Sequence, residues 1–183
     1  FGSSKYLERK PYPPGQHGQS RRRKASDYAL ALAEKQKMRF YYGLMEKQFK
    51  GVYEKSIRRR GVTGEIMLQI LETRLDSVVY SLGFGYTRAQ SRQMVTHGHV
   101  LVNGKRACTP SIALQEGDTV EIKTVEKSRH LADKNLEYST SRVVPEWLTL
   151  DKASYKGTVT RLPTRDDIEP VANEQTIVEF YSR

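Results

Sequence analysis

A single cysteine, Cys108, is all the thiol in this chain, which excludes an internal disulfide. A structural zinc normally takes four Cys or His ligands at short spacings. Cys108 stands apart from His17, His97, His99 and His130, so no metal and no cofactor are expected. Only 37% of the residues are hydrophobic, and no stretch approaches the ~20 apolar residues of a bilayer-spanning helix. The first residues have no apolar signal-peptide core, so the expectation is a soluble intracellular protein with no membrane partner. Acidic side chains are scarce in the first third: residues 1–60 hold 5 of them against 16 Lys and Arg, a net of +11, whereas residues 61–183 are net −1. A basic extension on a nearly neutral body points to a polyanion, nucleic acid first. A length of 183 residues allows one domain with an appendage, or two small ones.

Residues 1–25 read as an extended basic arm. Pro11, Pro13 and Pro14 forbid a helix, and the run Arg21-Arg22-Arg23-Lys24 suits phosphates, where bound cations release counterions. Tyr6, Tyr12 and His17 add stacking faces. Residues 26–72 read as a helical domain. One helix is expected from Ser26 to about Phe49, capped by Ser26 or Asp27, and a second over about Val52–Arg60, closed by Gly61. Lys35, Lys37 and Arg39 are spread around the first, beside Tyr28, Phe40, Tyr41 and Tyr42.

Residues 73–127 read as a helix–helix–hairpin module, preceded by a helix that begins at Thr63-Gly64-Glu65. Leu75, Val78, Val79 and Leu82 form an apolar stripe ended by Gly83. Thr87 caps the next helix, with Ala89, Met94 and Val95 expected inward and Arg88, Gln90, Ser91 and Arg92 left for a ligand. The period then changes to two over His99–Arg106, with Asn103-Gly104 as a tight turn, and a second strand follows at Thr119–Lys123. Residues 128–183 are expected to pack back on the helical domain, with a helix at Leu131–Tyr138, an aromatic elbow at Trp147 and a strand at Thr176–Tyr181. Residues 107–183 are net −3, which fits a core or a protein contact better than phosphate. The fold class is α+β.

The stretches Tyr12-Pro-Pro-Gly-Gln-His-Gly18, Ser26-Asp-Tyr28, Glu34-Lys-Gln-Lys37, Gly61-Val-Thr-Gly64, Arg74-Leu-Asp76 with Val78-Val-Tyr80, Gly98-His99, Val102-Asn-Gly104, Glu126-Lys-Ser-Arg129 and Val178-Glu-Phe-Tyr-Ser-Arg183 together resemble bacterial-type small-subunit ribosomal protein four. The resemblance implies a structural component of the small ribosomal subunit, in the cytoplasm or the equivalent organelle compartment. It would bind small-subunit ribosomal RNA at a helix junction, nucleate assembly, neighbour small-subunit protein five near the messenger entrance and bear on decoding accuracy. It implies that Arg74, Thr87, Arg88, Gln90, Ser91, Arg92, His97, His99, Asn103, Lys105 and Arg106 fall on the RNA-facing side of the module. Gln16, His17, Tyr28, Lys35 and Lys37 would grip RNA from the N-terminal part. Arg21 and Lys24 match basic positions toward messenger RNA, and Arg22, Arg23 and Arg39 join the same cationic set. Some members carry a four-cysteine zinc knot before the Pro-Gly loop, for which this sequence shows no counterpart.

Arg74-Leu75-Asp76 is also similar to the catalytic aspartate motif of pseudouridine synthases. Those enzymes place the aspartate in a large sheet-based domain, whereas here it lies on a helix inside the binding module, where an ion pair with Arg74 or Arg92 is expected. No catalytic residue is assigned. His97-Gly98-His99 has no third ligand in sequence and fits hydrogen bonding to RNA, or packing, better than a metal pair. The alternative function is a free-standing RNA chaperone or translational repressor using the same module.

Overall fold

The computed structural model describes residues 8–12, 14–19, 24, 26–139 and 142–182. Arg21, Arg22 and Arg23 lie outside the described residues. Among those described, seven helices and one five-stranded antiparallel sheet give an α+β chain with two hydrophobic cores.

Helix α1 (Asp27–Tyr41) starts where the Ser26 hydroxyl accepts the Ala29 amide at 3.3 Å. It does not run on to Phe49. The chain reverses at Gly43, with φ +63°, which lets Tyr42 and Leu44 both enter the core. Helix α2 (Glu46–Ile57) then contains most of the expected Val52–Arg60 helix and stops short of Arg58-Arg59-Arg60, which stay exposed. Gly61 therefore does not cap it. Helix α3 (Thr63–Glu72) is separated from α4 (Leu75–Ser81) by Thr73 and an extended Arg74. The break is satisfied from outside the helices, because Leu75 and Asp76 donate their amides to the carbonyls of Ile112 and Pro110, and Leu114 donates to Thr73.

Helix α5 (Arg88–Thr96) begins at Thr87, whose hydroxyl accepts the Gln90 amide at 3.1 Å. Met94 and Val95 are buried as expected, but Ala89 is exposed, because it lies on the outward side of this short helix. Strands β1 (Val100–Val102) and β2 (Lys105–Ala107) pair across Asn103-Gly104, with φ +50° and +75°, the two positive values of a type I′ turn. Strand β3 (Thr119–Ile122) pairs with β1 on its other side. Helix α6 (Glu126–Tyr138) begins earlier than the apolar pattern indicates. Two strands that sequence reading misses, β4 (Leu148–Asp151) and β5 (Lys156–Val159), extend the sheet to the order β2-β1-β3-β5-β4.

The last element corrects an expectation. Thr176–Tyr181 is not a strand but lies within helix α7 (Glu174–Ser182). Its β-branched residues favour a strand locally, but the Asn173 side chain accepts the Thr176 amide at 3.1 Å, and helical spacing sends Ile177 and Tyr181 to one side. Ile177 is fully buried, and the Tyr181 ring stacks on Tyr53 at 4.8 Å.

The first core gathers Met38, Phe49, Met67, Leu71 and Ile177; the second gathers Leu75, Val79, Phe84, Val100 and Trp147. The chain leaves the first core after α3 and returns to it with Ile168, Ala172 and α7. The stretch from 128 onward therefore divides: Ala132, Trp147, Leu148 and Val159 join the second core, and only its end packs on the helical part.

In α7 as a helix, residues 177 and 179 lie on different sides; in a strand they would share one. Ile177→Ala is expected to cost about 2–5 kcal/mol in urea denaturation, and Glu179→Ala less than about 0.5 kcal/mol.

Candidate nucleic-acid interface

The two cores meet around a set of buried charges. Glu72 ends α3 facing α5 and the end of α1, and its Oε1 accepts from the Tyr42 hydroxyl at 2.7 Å and from Arg88 Nη2 at 3.1 Å. The Arg88 guanidinium also donates to the Ser77 hydroxyl at 3.0 Å. Its Cζ lies 4.4, 4.6 and 4.6 Å from the ring centres of Tyr41, Tyr42 and Tyr80. Burial opposes its charge, but the pull of Glu72 and the two phenols of Tyr41 and Tyr42 prevails, so Arg88 stays protonated above its ordinary range. Burial, reinforced by Glu72, pushes the Tyr42 phenol well above its usual value. One turn along, Asp76 binds Arg74 through two hydrogen bonds, of 3.0 and 2.7 Å, and Arg92 through a third of 3.0 Å. Asp76 is thus the structural ion-pair partner the sequence suggests, shared by two arginines.

This network sorts the sequence-predicted residues into two groups. Arg74 is buried and Arg88 partly buried, each in an ion pair. Ser91 is fully buried, its hydroxyl donating to the Thr87 carbonyl, and Gln90 bridges the Tyr86 amide and Asn135. Asn103 fastens its own turn to Asp118 and Thr119. Lys35 is also buried, 2.7 Å from Glu46, which accepts from Tyr181 as well and so ties α1, α2 and α7 together. Arg39 contacts Gln36 and Glu46 and lies over the Phe40 ring. These side chains hold the shape.

The second group faces outward. Gln16, His17 and Lys24 are exposed, as are Tyr28, whose ring leans on Phe180 at 5.5 Å, and Lys37 beside Glu34. At the end of α5, His97 is exposed, and the Arg106 guanidinium lies against Gly98. The His99 Nδ1 is 2.9 Å from the Ser128 hydroxyl. Burial, then the nearby His97 and Lys123, holds the His99 imidazole below its ordinary value. Lys105 and Arg106 are exposed on β2, and neither pairs with a carboxylate among the described residues. Arg92 stands between the groups, with a side chain 37% exposed despite its bond to Asp76.

Between the end of α1 and the α4–α5 corner lies a groove of about 710 Å³. Its lining includes Arg88 packed on Tyr41, with Phe40, Arg92, Tyr86, Tyr138 and Arg142. Sequence reading leaves Tyr86, Tyr138 and Arg142 without a role. Tyr86 in its turn and Tyr138 closing its helix both fall outside an apolar stripe, and that is the signal available for them.

Sequence comparison covers both cores. The family described as Ribosomal protein S4/S9 N-terminal domain matches residues 2–72, and the S4 domain matches residues 73–120. A small ribosomal subunit protein uS4 of Opitutus terrae is 54% identical over 183 residues, covering 100% of this chain and 90% of that protein. The uS4 of Akkermansia muciniphila is 50% identical over 184 residues, with 100% and 91% covered, and that of Thermus thermophilus 51% over 179, with 97% and 85% covered.

Arg88→Met removes the cation that neutralises Glu72 and is expected to cost about 3–5 kcal/mol in urea denaturation without RNA. Lys105→Ala with Arg106→Ala, on the open surface, is expected to change stability by less than about 1 kcal/mol.

Proposed function

Because this chain belongs to the family of small ribosomal subunit protein uS4, we propose that it binds small-subunit ribosomal RNA directly, as a structural, non-enzymatic component of the small ribosomal subunit. The observation that carries this reading is the division of its cations. Arg74 and Lys35 are buried and Arg88 is tied to Glu72, while Lys24, Lys37, Lys105 and Arg106 are exposed where phosphate can reach them. Such contacts supply affinity and register without reading sequence. Since A-form RNA hides most base edges, specificity comes from a rigid protein surface matched to the shape of a folded RNA. Two cores locked at a charged waist supply that rigidity and suit a helix junction, where several backbones converge at fixed angles.

In the same reading the protein seats early and helps nucleate assembly of the subunit body. It neighbours small-subunit protein five, and its basic arm, through Arg21 and Lys24, reaches messenger RNA near the entrance and contributes to accuracy. The acidic balance of residues 107–183 supports a protein neighbour on that part rather than phosphate.

The test is affinity for the five-prime domain of small-subunit ribosomal RNA against an unrelated structured RNA of equal length, across a salt series. The cognate RNA is expected to bind more tightly by orders of magnitude and to keep its lead as salt rises. Equal affinities falling together would make the chain a general cationic RNA binder, with a chaperone role.

A further inference from the structure

We propose that the groove between α1 and the α4–α5 corner holds one unstacked nucleotide of the bound RNA, with its base against Tyr86 and Tyr138 and its phosphate at Arg92. The inference rests on the ribosomal RNA-binding reading above and names what this groove takes from that RNA.

Three observations converge. Phe40, Tyr86 and Tyr138 are 61%, 53% and 61% exposed, although each sits at the groove of a chain that buries Tyr42, Phe49, Tyr53, Phe84 and Trp147 almost completely. Tyr86 and Tyr138 meet edge to face at 5.9 Å, so a flat ligand finds a cornered aromatic surface rather than a lone ring. Aromatic rings held this way are the standing platform for unpaired bases, which stack on any π-face whatever their identity.

The charge beside them fits an anion. Asp76 is bound by both Arg74 and Arg92, so the trio keeps one positive charge, and only Arg92 of the pair is substantially exposed. Arg142 meets no carboxylate among the described residues. Its guanidinium donates to the carbonyls of Tyr80, Gly85 and Tyr86 and lies 3.9 Å from the Tyr80 ring centre, which fixes the turn that carries Tyr86. Arg142 is therefore a positioning residue for the platform as well as a source of positive potential.

The size and the class of ligand agree. A volume of about 710 Å³ falls in the range of small-ligand sites, roughly 300–1,000 Å³. A duplex has no base faces to offer, because they are stacked within it. A nucleotide splayed out of a junction has both a bare base and an accessible phosphate.

The test uses the full chain and the five-prime domain RNA. Tyr86→Leu with Tyr138→Leu keeps the apolar bulk and removes the π-faces. It is expected to weaken binding about ten- to hundredfold with no change in salt slope, while Tyr86→Phe with Tyr138→Phe binds like the parent. Arg92→Gln is expected to flatten the slope by about one unit. A leucine double variant that binds like the parent overturns the proposal, provided the parent still prefers the cognate RNA. So does a loss accompanied by a flattened slope, since that marks a phosphate path alone. A parent without cognate preference is a different result, and it counts against the ribosomal reading itself. Loss of affinity in the phenylalanine pair also overturns the stacking assignment, because those rings retain it. Thermal midpoints of all variants within about 4 °C of the parent show that the fold is retained.

Discussion

The carboxylate of Glu72 is the point on which the two halves of this protein depend. It lies at the end of α3, where the chain passes from one core to the other, and it binds the Tyr42 hydroxyl from the first core and the Arg88 guanidinium from the second. Neither partner suits its site alone. Burial raises the cost of ionising Tyr42 and of keeping Arg88 charged, and Glu72 offsets the second cost by supplying the opposite charge. A buried ion pair of this kind contributes little net stability compared with an apolar replacement, but it is costly to break and allows few geometries. Its contribution here is orientation. Three tyrosine rings packed around Arg88 limit the angle between the two cores further.

Much of this was readable from residue types and spacings, for definite reasons. Ser26 and Thr87 are good N-caps before helical patterns, and both cap. Asn103-Gly104 between alternating residues leaves the chain little choice but a tight hairpin. Where reading failed, a distant contact overrode a local pattern. Thr176–Tyr181 has strand-forming residues, yet its partners are Tyr53 and the first core, reached only by a helix. Strands β4 and β5 are four residues each, and β5 contains a glycine, so the local pattern is weak; β5 pairs with β3 across the sheet, and β4 joins only through β5.

The candidate site shows the same limit more sharply. A sequence gives the positions of Lys and Arg, not which of them meet a carboxylate. Arg88 and Arg92 are four residues apart on one helix, yet the first is mostly covered in its pair with Glu72 and the second is much more open to solvent. Ser91 between them is buried, whereas Lys105 and Arg106, on an exposed strand, pair with no carboxylate among the described residues. The groove was less legible still, since Phe40, Tyr86 and the pair Tyr138 and Arg142 come from three separate parts of the chain. In the proposed reading, function follows from the sorting: inward cations tie the cores together, and the outward cations and rings are the groups offered to RNA.

The central claim is that recognition of a particular RNA shape requires the two cores to be held at one angle by the Glu72 node. The most direct measurement is the ratio of cognate to unrelated RNA affinity in a Glu72→Gln chain, taken at a temperature where the variant is fully folded. The account predicts that the ratio falls toward one through loss of cognate affinity, while binding to the unrelated RNA is unchanged, because the outward cations are untouched. A variant that discriminates between the two RNAs as well as the parent would contradict it.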